Sequence, residues 1–154
     1  MPIIPRRTPR RIPAALGLAL LAAGCSLPGD WSYAGLSYDL RSNSFSGLPE
    51  TTAAQMPTSG SAVFTGEYRH LSRTNPFGKG SASLGVDFAA GTVQLSLTGS
   101  VNGTASGTIS GSGFSGSSGF DFAGKFYGST AGVAAGLFSG IGPSDSFGQF
   151  ITRR

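Results

Sequence analysis

The only cysteine of the chain, Cys25, stands in a pattern that indicates covalent chemistry. It directly follows Leu21, Ala22, Ala23 and Gly24. Small residues before a cysteine allow the backbone to enter a narrow protease site, and the cysteine thiol can take a diacylglycerol. The pattern resembles a lipobox, although Ala22 stands where Leu is more common. We predict cleavage before Cys25 and lipidation at this residue, which would hold the chain on a membrane almost permanently.

The segment before Cys25 has the composition of an export signal. Four arginines form a basic n-region: Arg6, Arg7, Arg10 and Arg11. Residues 14–23 then form an uninterrupted run of small and aliphatic residues. As a helix this run reaches about half of a hydrocarbon core of about 30 Å, so it is too short for a transmembrane helix. We predict a signal peptide at residues 1–24.

Two other interpretations of this N-terminus stay open. The segment could be a plain secretory signal followed by an incidental cysteine. The two arginine pairs also fit a twin-arginine signal, but Pro9 and Pro13 crowd them and favour an ordinary basic n-region. With Cys25 lipidated, we expect the mature protein on the bacterial outer membrane, on its periplasmic or its exposed side.

His70, the only histidine, is the candidate for cofactor binding. A single His can serve as an axial ligand of haem iron when water or a second residue completes the coordination. His70 follows an apparent strand and precedes a loop signal at residues 72–76, so the alternative is a solvated loop residue. One cysteine leaves no disulfide and no thiolate metal site. We therefore predict no metal site and no resident cofactor.

Other motifs give no support for an enzyme. Residues 111–116 match G-x-G-x-x-G, but no helix pattern follows, as a dinucleotide site requires. A Ser-His-Asp triad lacks a Gly-x-Ser-x-Gly elbow on a strand-to-helix turn. Glu67, Asp87 and Asp121 are interpreted as outward-facing polar positions on strands. We predict that the protein has no catalytic residues.

The formal charge of +4 belongs to the precursor. It comes from 11 basic and 7 acidic residues. Four of the basic residues lie in the predicted signal, which leaves seven of each sign in the mature chain. A nucleic-acid-binding domain needs a clustered basic face. The mature composition therefore gives no support for nucleic-acid binding.

Apolar and polar residues alternate with the period of a β-strand in several segments. Residues 82–88 and 93–98 alternate on either side of Ala89, Ala90 and Gly91, which predicts a hairpin with Gly91 in the left-handed conformation. Asn102-Gly103 predicts a two-residue type I′ turn, with the following strand from residue 104 to about 111. Alternation also predicts strands at residues 62–69, 120–126, 133–137 and 147–152.

These segments make about seven strands, or eight with an early one around residues 31–40. Short connections favour an antiparallel meander, and closure into a barrel removes its exposed edges. We predict an all-β fold: a small up-and-down barrel of about eight strands at residues 60–154. Residues 25–59, with several Pro, Ser and Thr, are predicted as a tether that could contain the early strand.

Three alternatives concern this barrel. The Gly/Ser-rich segment 99–119 could be disordered low complexity. The barrel could span the outer membrane, which the lipobox, the short strands and the Arg153-Arg154 end oppose. Several aromatic residues could line a ligand cavity or an interface, although small barrels are usually filled by their own side chains. These residues are Phe120, Phe122, Phe126, Tyr127 and Phe138.

Residues 56–154 resemble the transferrin-binding-protein-B-like β-barrel domain of bacterial surface lipoproteins. The segments that carry the resemblance are GSAVFTG at 60–66, SLGVDF at 83–88 with GTV at 91–93, GKFYG at 124–128 with AGLF at 135–138, and FG at 147–148. Departures are Ser129, where the family often has Pro, and Gly132 and Ala134, in a stretch that is often acidic. The resemblance implies an eight-stranded barrel that is displayed on a lipid anchor and works by binding.

We expect a single barrel, so transferrin binding is not carried over from two-lobed family members. The first hypothesis is a non-enzymatic lipoprotein that is attached through Cys25 and binds a protein or small ligand. The second is a carrier of haem or another small ligand. The third is a structural envelope lipoprotein without a dedicated ligand.

Overall fold

Eight strands form a closed barrel, and three short strands form a separate sheet. The computed structural model describes residues 30–73, 75, 77–142 and 146–154. The small sheet contains β1 (Trp31–Tyr33), β2 (Leu36–Asp39) and β3 (Ser44–Ser46), and a 3-10 helix (Ala53–Gln55) follows. The barrel strands are β4 (Ser61–Leu71), β5 (Gly78–Asp87), β6 (Thr92–Gly99), β7 (Gly103–Ser110), β8 (Gly113–Ser118), β9 (Asp121–Tyr127), β10 (Val133–Ile141) and β11 (Ser146–Arg153). Within the described ranges no helix is long and apolar enough to cross a membrane.

Each barrel strand pairs antiparallel with the next strand in the sequence, and β11 pairs with β4 to close the ring. The closing ladder includes the pair Phe150 and Tyr68. Closure gives every strand two neighbours, so no row of unpaired backbone groups stays exposed at an edge. The predicted all-β, eight-stranded antiparallel barrel is confirmed.

The eighth barrel strand is β8, which the alternation did not reveal. It pairs with β7 on one side and with β9 on the other, where Phe114 lies opposite Gly124. Phe114 is the only large apolar residue of β8, so the segment lacks the second one that a period-2 pattern needs. The low-complexity alternative for residues 99–119 is wrong for β7 and β8, which form most of that segment.

The two predicted turns have different outcomes. Gly91 has φ +65° in the β5–β6 hairpin, so its predicted left-handed conformation is confirmed. The type I′ turn at Asn102-Gly103 is wrong, because neither residue has a positive φ. Instead Gly99 has φ +143°, and the Asn102 side chain bonds both the N–H and the carbonyl of Gly99. A side-chain bridge therefore shapes this connection, and the two-residue turn is absent.

Aromatic side chains fill the barrel. The Phe126 ring lies 5.8 Å from Phe64, 6.0 Å from Phe88 and 5.1 Å from Phe114, measured between ring centroids. A Cβ added at Gly124 would lie 2.8 Å from a ring carbon of Phe114. Inward glycines thus leave the space that the rings of neighbouring strands occupy.

Four of the five aromatic residues considered for a cavity belong to this interior core: Phe120, Phe122, Phe126 and Phe138. The fifth, Tyr127, belongs to a second apolar cluster on the outside of the barrel. The side chains that could have lined a ligand cavity therefore pack against one another or against the small sheet.

The small sheet covers the outer face of β9, β10 and β11. Its buried side chains Trp31, Leu36 and Tyr38 pack with residues of these strands that include Val133 and Ile151. This differs from the expected tether, because residues 31–46 form three strands on the barrel wall. The predicted early strand is observed as β1 and β2, paired with Trp31 opposite Tyr38. The large apolar residues of these strands explain the docking, since burying them removes their surface from water.

Arg69 fastens this sheet to the barrel. Its guanidinium carbon lies 5.4 Å from the centroid of the Trp31 ring, within cation–π range. Trp31 is the only tryptophan, so tryptophan fluorescence reports on the surroundings of this one side chain. We expect Arg69→Gln to weaken the docking of β1 by about 0.5–2 kcal/mol, seen as a red shift of Trp31 emission at lower urea concentration. The control is Lys79→Gln, which removes the same charge opposite Arg69 on β5; equal shifts in both variants would contradict the contact.

The outward positions of β4, β5 and β6 are mainly polar, as at Thr65, Ser83 and Ser96. The inward positions of the same strands, such as Phe64, Leu84 and Leu95, are fully buried and apolar. Membrane-spanning barrels carry apolar residues on their outer face and have a polar interior. This wall has the opposite polarity to that expected for the integral-barrel alternative.

Candidate functional site

The barrel has two ends, called the His70 end and the Gly91 end below. The His70 end carries the connections after β4, β6, β8 and β10. The Gly91 end carries the connections after β5, β7 and β9, together with the chain that leads into β4. The candidate ligand residue from the sequence lies at the first end.

His70 is the second-last residue of β4 and is only 3% exposed. Its Nε2 lies 3.0 Å from the Ser100 hydroxyl, which in turn donates to the Lys79 carbonyl. Its Nδ1 is buried without a hydrogen-bond partner. The interpretation as a solvated loop residue is therefore wrong. The strand extends two residues beyond the predicted end at residue 69, and this extension carries His70 into the wall.

Two glycines on β5 make room for the rings of β4. Tyr68 lies opposite Gly80, and His70 lies opposite Gly78. A Cβ at Gly78 would collide with the imidazole, and one at Gly80 would lie 2.6 Å from the Tyr68 hydroxyl. The pattern Tyr-x-His facing Gly-x-Gly was present in the sequence. It could be recognised only once the register between β4 and β5 was known.

Tyr68 is a structural residue that the sequence did not single out. Its hydroxyl donates to the Val101 carbonyl at 2.9 Å and accepts from the Val101 N–H at 2.8 Å. Its ring packs edge-on against Phe138 at 5.7 Å. Tyr68 thereby holds the β6–β7 connection onto the barrel core and closes the His70 end from inside.

These surroundings do not fit a haem iron at His70. Nε2 lies against Gly78 and is engaged by Ser100, so it has no open space for a metal. The interior beside it holds Tyr68 and Phe138. A Ser-His-Asp triad does not fit either, because no carboxylate orients the imidazole through Nδ1.

The buried imidazole should make stability depend on pH. Burial lowers the pKa of His70 from its usual value of about 6.5. The unfolded chain then binds a proton at a higher pH than the folded chain does. The free energy of unfolding should therefore decrease as the pH falls from about 7, until the pH has passed the lowered pKa of the folded state. Urea denaturation at a series of pH values measures this decrease.

The matched variant for this pH series is His70→Gln. The chain has no other histidine, and carboxyl groups usually titrate near pH 4. The variant should therefore lose the pH dependence between about pH 7 and pH 5.5. The same slope in both proteins would show that His70 is not the responsible group.

The predicted outward carboxylates lie on different strands: Glu67 on β4, Asp87 on β5 and Asp121 on β9. Asp87 accepts the Ala90 N–H at 2.9 Å and shapes the hairpin, which is a structural role. No group of three metal-binding side chains is found among the residues described. The Gly-rich motif forms a tight β-hairpin, with Gly111 at φ +61° between β7 and β8. Cys25 lies outside the described residues, so its lipidation stays a prediction.

The surface offers shallow features for binding. A groove of about 680 Å³ lies over β4 to β7, where Gly85 leaves a gap between Val63 and Gln94. A smaller hollow of about 210 Å³ lies over β9 and β10 beside Phe147. Because the described inward side chains pack into one core, the outer wall and the two ends are the candidate surfaces for a ligand.

Solved structures of bacterial binding proteins have the same fold. One is a double mutant of transferrin-binding protein B from Haemophilus parasuis Hp5, with 21% identity over 68% of this chain and 27% of that chain, at a TM-score of 0.54. Another is isotype 1 transferrin-binding protein B from serogroup B Neisseria meningitidis, with 17% identity over 81% and 34%, at 0.57. A third is the N-lobe domain of lactoferrin-binding protein B of Moraxella bovis, with 16% identity over 71% and 62%, at 0.52.

At these identities the likeness shows the fold, and it confirms the resemblance to a transferrin-binding-protein-B-like barrel. The chain spans 27% and 34% of the two transferrin-binding protein B chains, so it corresponds to a fraction of them. No protein-family model matches the sequence. No curated protein matches it either.

Proposed function

We propose that this chain is a lipid-anchored protein of the bacterial outer membrane that binds a protein partner on the outside of its barrel and catalyses no reaction. The observation that carries the proposal is the filled interior of a barrel whose fold is shared with transferrin- and lactoferrin-binding proteins. A barrel whose described inward side chains pack against one another is expected to bind through its wall and loops. A protein partner can contact such a broad surface, whereas a small ligand is best held in an enclosed pocket, and the groove and hollow on this wall are shallow.

The identity of the partner is not transferred from the similar structures. Their names give transferrin or lactoferrin as the partner, and this chain spans only part of the transferrin-binding proteins. The small sheet of β1 to β3 covers part of β9, β10 and β11 on the outer wall. A partner therefore cannot contact this covered part. The uncovered wall at β4 to β7 and the two ends are the candidate contact surfaces.

Lipidation is tested by Cys25→Ser in the full chain, expressed in a Gram-negative host. We expect loss of a clickable palmitate label and release of the protein from the membrane fraction, because the thiol is the only acceptor. The neighbouring variant Ser26→Ala is the control and should keep both. If the Cys25→Ser variant keeps both the palmitate label and its attachment to the membrane, the proposed lipidation at Cys25 is contradicted.

Partner binding is tested with the lipidated chain on vesicles, incubated with transferrin, with lactoferrin and with envelope and serum extracts. We expect saturable capture of one protein, identified by mass spectrometry and measured again with the purified partner. Charge-introducing variants on the uncovered wall, such as Gln94→Arg, should reduce binding more than Ser115→Arg elsewhere on the barrel. If no protein is captured in a saturable way and deletion of this lipoprotein changes envelope integrity, the structural-lipoprotein hypothesis is favoured.

A further inference from the structure

An apolar patch lies at the rim of the His70 end. Phe77 is 58% exposed and Phe147 is 37% exposed, which is unusual for large hydrophobic side chains in a small domain. Leu71 lies opposite Phe147, and the partly buried Leu137 lines the hollow next to Phe147. These four residues are called the apolar rim below.

The strand register places the rim residues side by side. His70 pairs with Gly78 at the end of the β4–β5 ladder, and Phe77 directly precedes Gly78 in the chain. Leu71 in turn pairs with Phe147 of β11. Phe77 and Phe147 therefore both lie beside the end of β4, where Leu71 is the last strand residue. The rim adjoins the outer cluster through Leu137.

The direction of β1 shows from which end the N-terminal chain arrives. Trp31 lies against Arg69, and Tyr33 lies 5.9 Å from the guanidinium of Arg153. Arg153 is opposite Thr65, four positions earlier on β4 than Arg69. From Trp31 to Tyr33 the chain therefore runs away from the His70 end. The N-terminal end of β1 therefore lies toward the apolar rim.

The distance to the anchor is short. Cys25 precedes Trp31 by six residues. An extended chain of that length spans at most about 20 Å. A lipid on Cys25 thus holds the outer wall near Trp31 within about 20 Å of the bilayer surface. Of the two ends, the one with the rim is nearer to Trp31, the first residue of β1.

We propose that the apolar rim docks into the headgroup region of the bilayer in which Cys25 is anchored, so that the His70 end faces the membrane and the Gly91 end faces away. The inference rests on the proposed lipid anchor. One lipid attachment and a second, weaker apolar contact together fix an orientation that the anchor alone leaves free. Charges of both signs lie near the rim, at Lys79 on β5 and at Asp121 beside the hollow, so we attribute the contact to the apolar side chains.

The proposal has a consequence for partner binding. Docking of the rim leaves the hairpins at the Gly91 end, such as that of Ala90, at the largest distance from the bilayer. A partner that approaches from outside the cell or from the periplasm then meets this end and the uncovered wall first. The anchored barrel would then keep one orientation on the bilayer without a long linker.

The test uses the full mature lipoprotein reconstituted into phosphatidylcholine–phosphatidylglycerol vesicles that carry nitroxide-labelled lipids. Single cysteines are introduced as Phe77→Cys, Phe147→Cys and, at the opposite end, Ala90→Cys, and each is labelled with the fluorophore NBD. Cys25 is the only native cysteine and its thiol is blocked by lipid, so labelling is specific. We expect blue-shifted emission and strong quenching at positions 77 and 147, with little quenching at 90.

The outcomes separate this proposal from the anchor. Mass spectrometry of the mature chain and flotation with the vesicles report on lipidation, and an unlipidated, unbound chain would overturn both proposals. A lipidated, vesicle-bound chain whose probes at 77 and 147 are quenched no more than the probe at 90 would overturn docking of the rim alone. Trp31 emission, which reports the docked small sheet, confirms that each labelled variant is folded before it is compared.

Discussion

Replacing Phe126 by alanine should lower the free energy of unfolding by about 3–5 kcal/mol. The side chain is fully buried, and three other rings surround it: Phe64, Phe88 and Phe114. Its removal leaves a cavity that the closed ladder of the barrel cannot collapse to fill. Urea denaturation followed by circular dichroism measures the loss. Because small domains are stable by only about 5–15 kcal/mol, the variant should be close to unfolding at physiological temperature.

The matched control for Phe126→Ala is Ser115→Ala on the neighbouring strand β8. Ser115 points outward and is exposed, so its loss should change stability by less than about 0.5 kcal/mol. A cost below about 1 kcal/mol for Phe126→Ala would indicate that the interior is loosely packed. That outcome would also remove the argument that the barrel has no room for a small ligand.

Gly66→Ala should destabilise the protein by about 1–3 kcal/mol or more, because the barrel closes directly over this residue. An added Cβ would collide with the Ile151 carbonyl oxygen and lie 2.8 Å from the Cα of Thr152. These atoms belong to the backbone of β11, so no side chain can move aside. The ladder between β4 and β11 would have to open. Urea denaturation and amide hydrogen exchange along β11 measure this effect.

Gly85→Ala on the next strand is the matched control for Gly66→Ala. The nearest atom to an added Cβ there is the Gln94 carbonyl oxygen at 3.9 Å, and neither glycine has a positive φ. The change should stabilise the protein by about 0.4–1 kcal/mol by restricting the unfolded chain. Equal effects of the two substitutions would contradict the importance of the close approach at Gly66.

Much of the barrel could be predicted from short-range patterns. Residues 82–88 and 93–98 alternate strictly, and the hairpin between them contains a glycine where a left-handed residue is needed. Side chains of a strand point alternately to two faces, so burial of one face is visible in adjacent residues. The strands predicted from alternation correspond to β4, β5, β6 and β9 to β11, whereas the prediction of β7 rests on the Asn102-Gly103 turn signal.

The pattern failed where side chains are too small to mark a face or where the partner lies far along the chain. In β8, Phe114 is the one large side chain among Gly and Ser residues, so only pairing with β7 and β9 identifies the strand. At Asn102-Gly103 the local sequence predicts a two-residue turn, but the Asn102 side chain forms hydrogen bonds with the backbone of Gly99 instead. The sequence favours a solvated loop position for His70, whereas the residue is buried. The glycine that makes room for its ring is eight residues away on the next strand, so no local pattern indicates this burial.

The sequence by itself determined the alternating antiparallel strands and the lipidation motif at Cys25, because both are encoded in neighbouring residues. Only the tertiary structure decided which glycines lie under rings, that Trp31 and its sheet dock on the barrel wall, and that Phe77 and Phe147 both lie beside the end of β4. Each of these contacts joins residues far apart in the chain. Their register is set by closure of the whole barrel, and no local pattern records it.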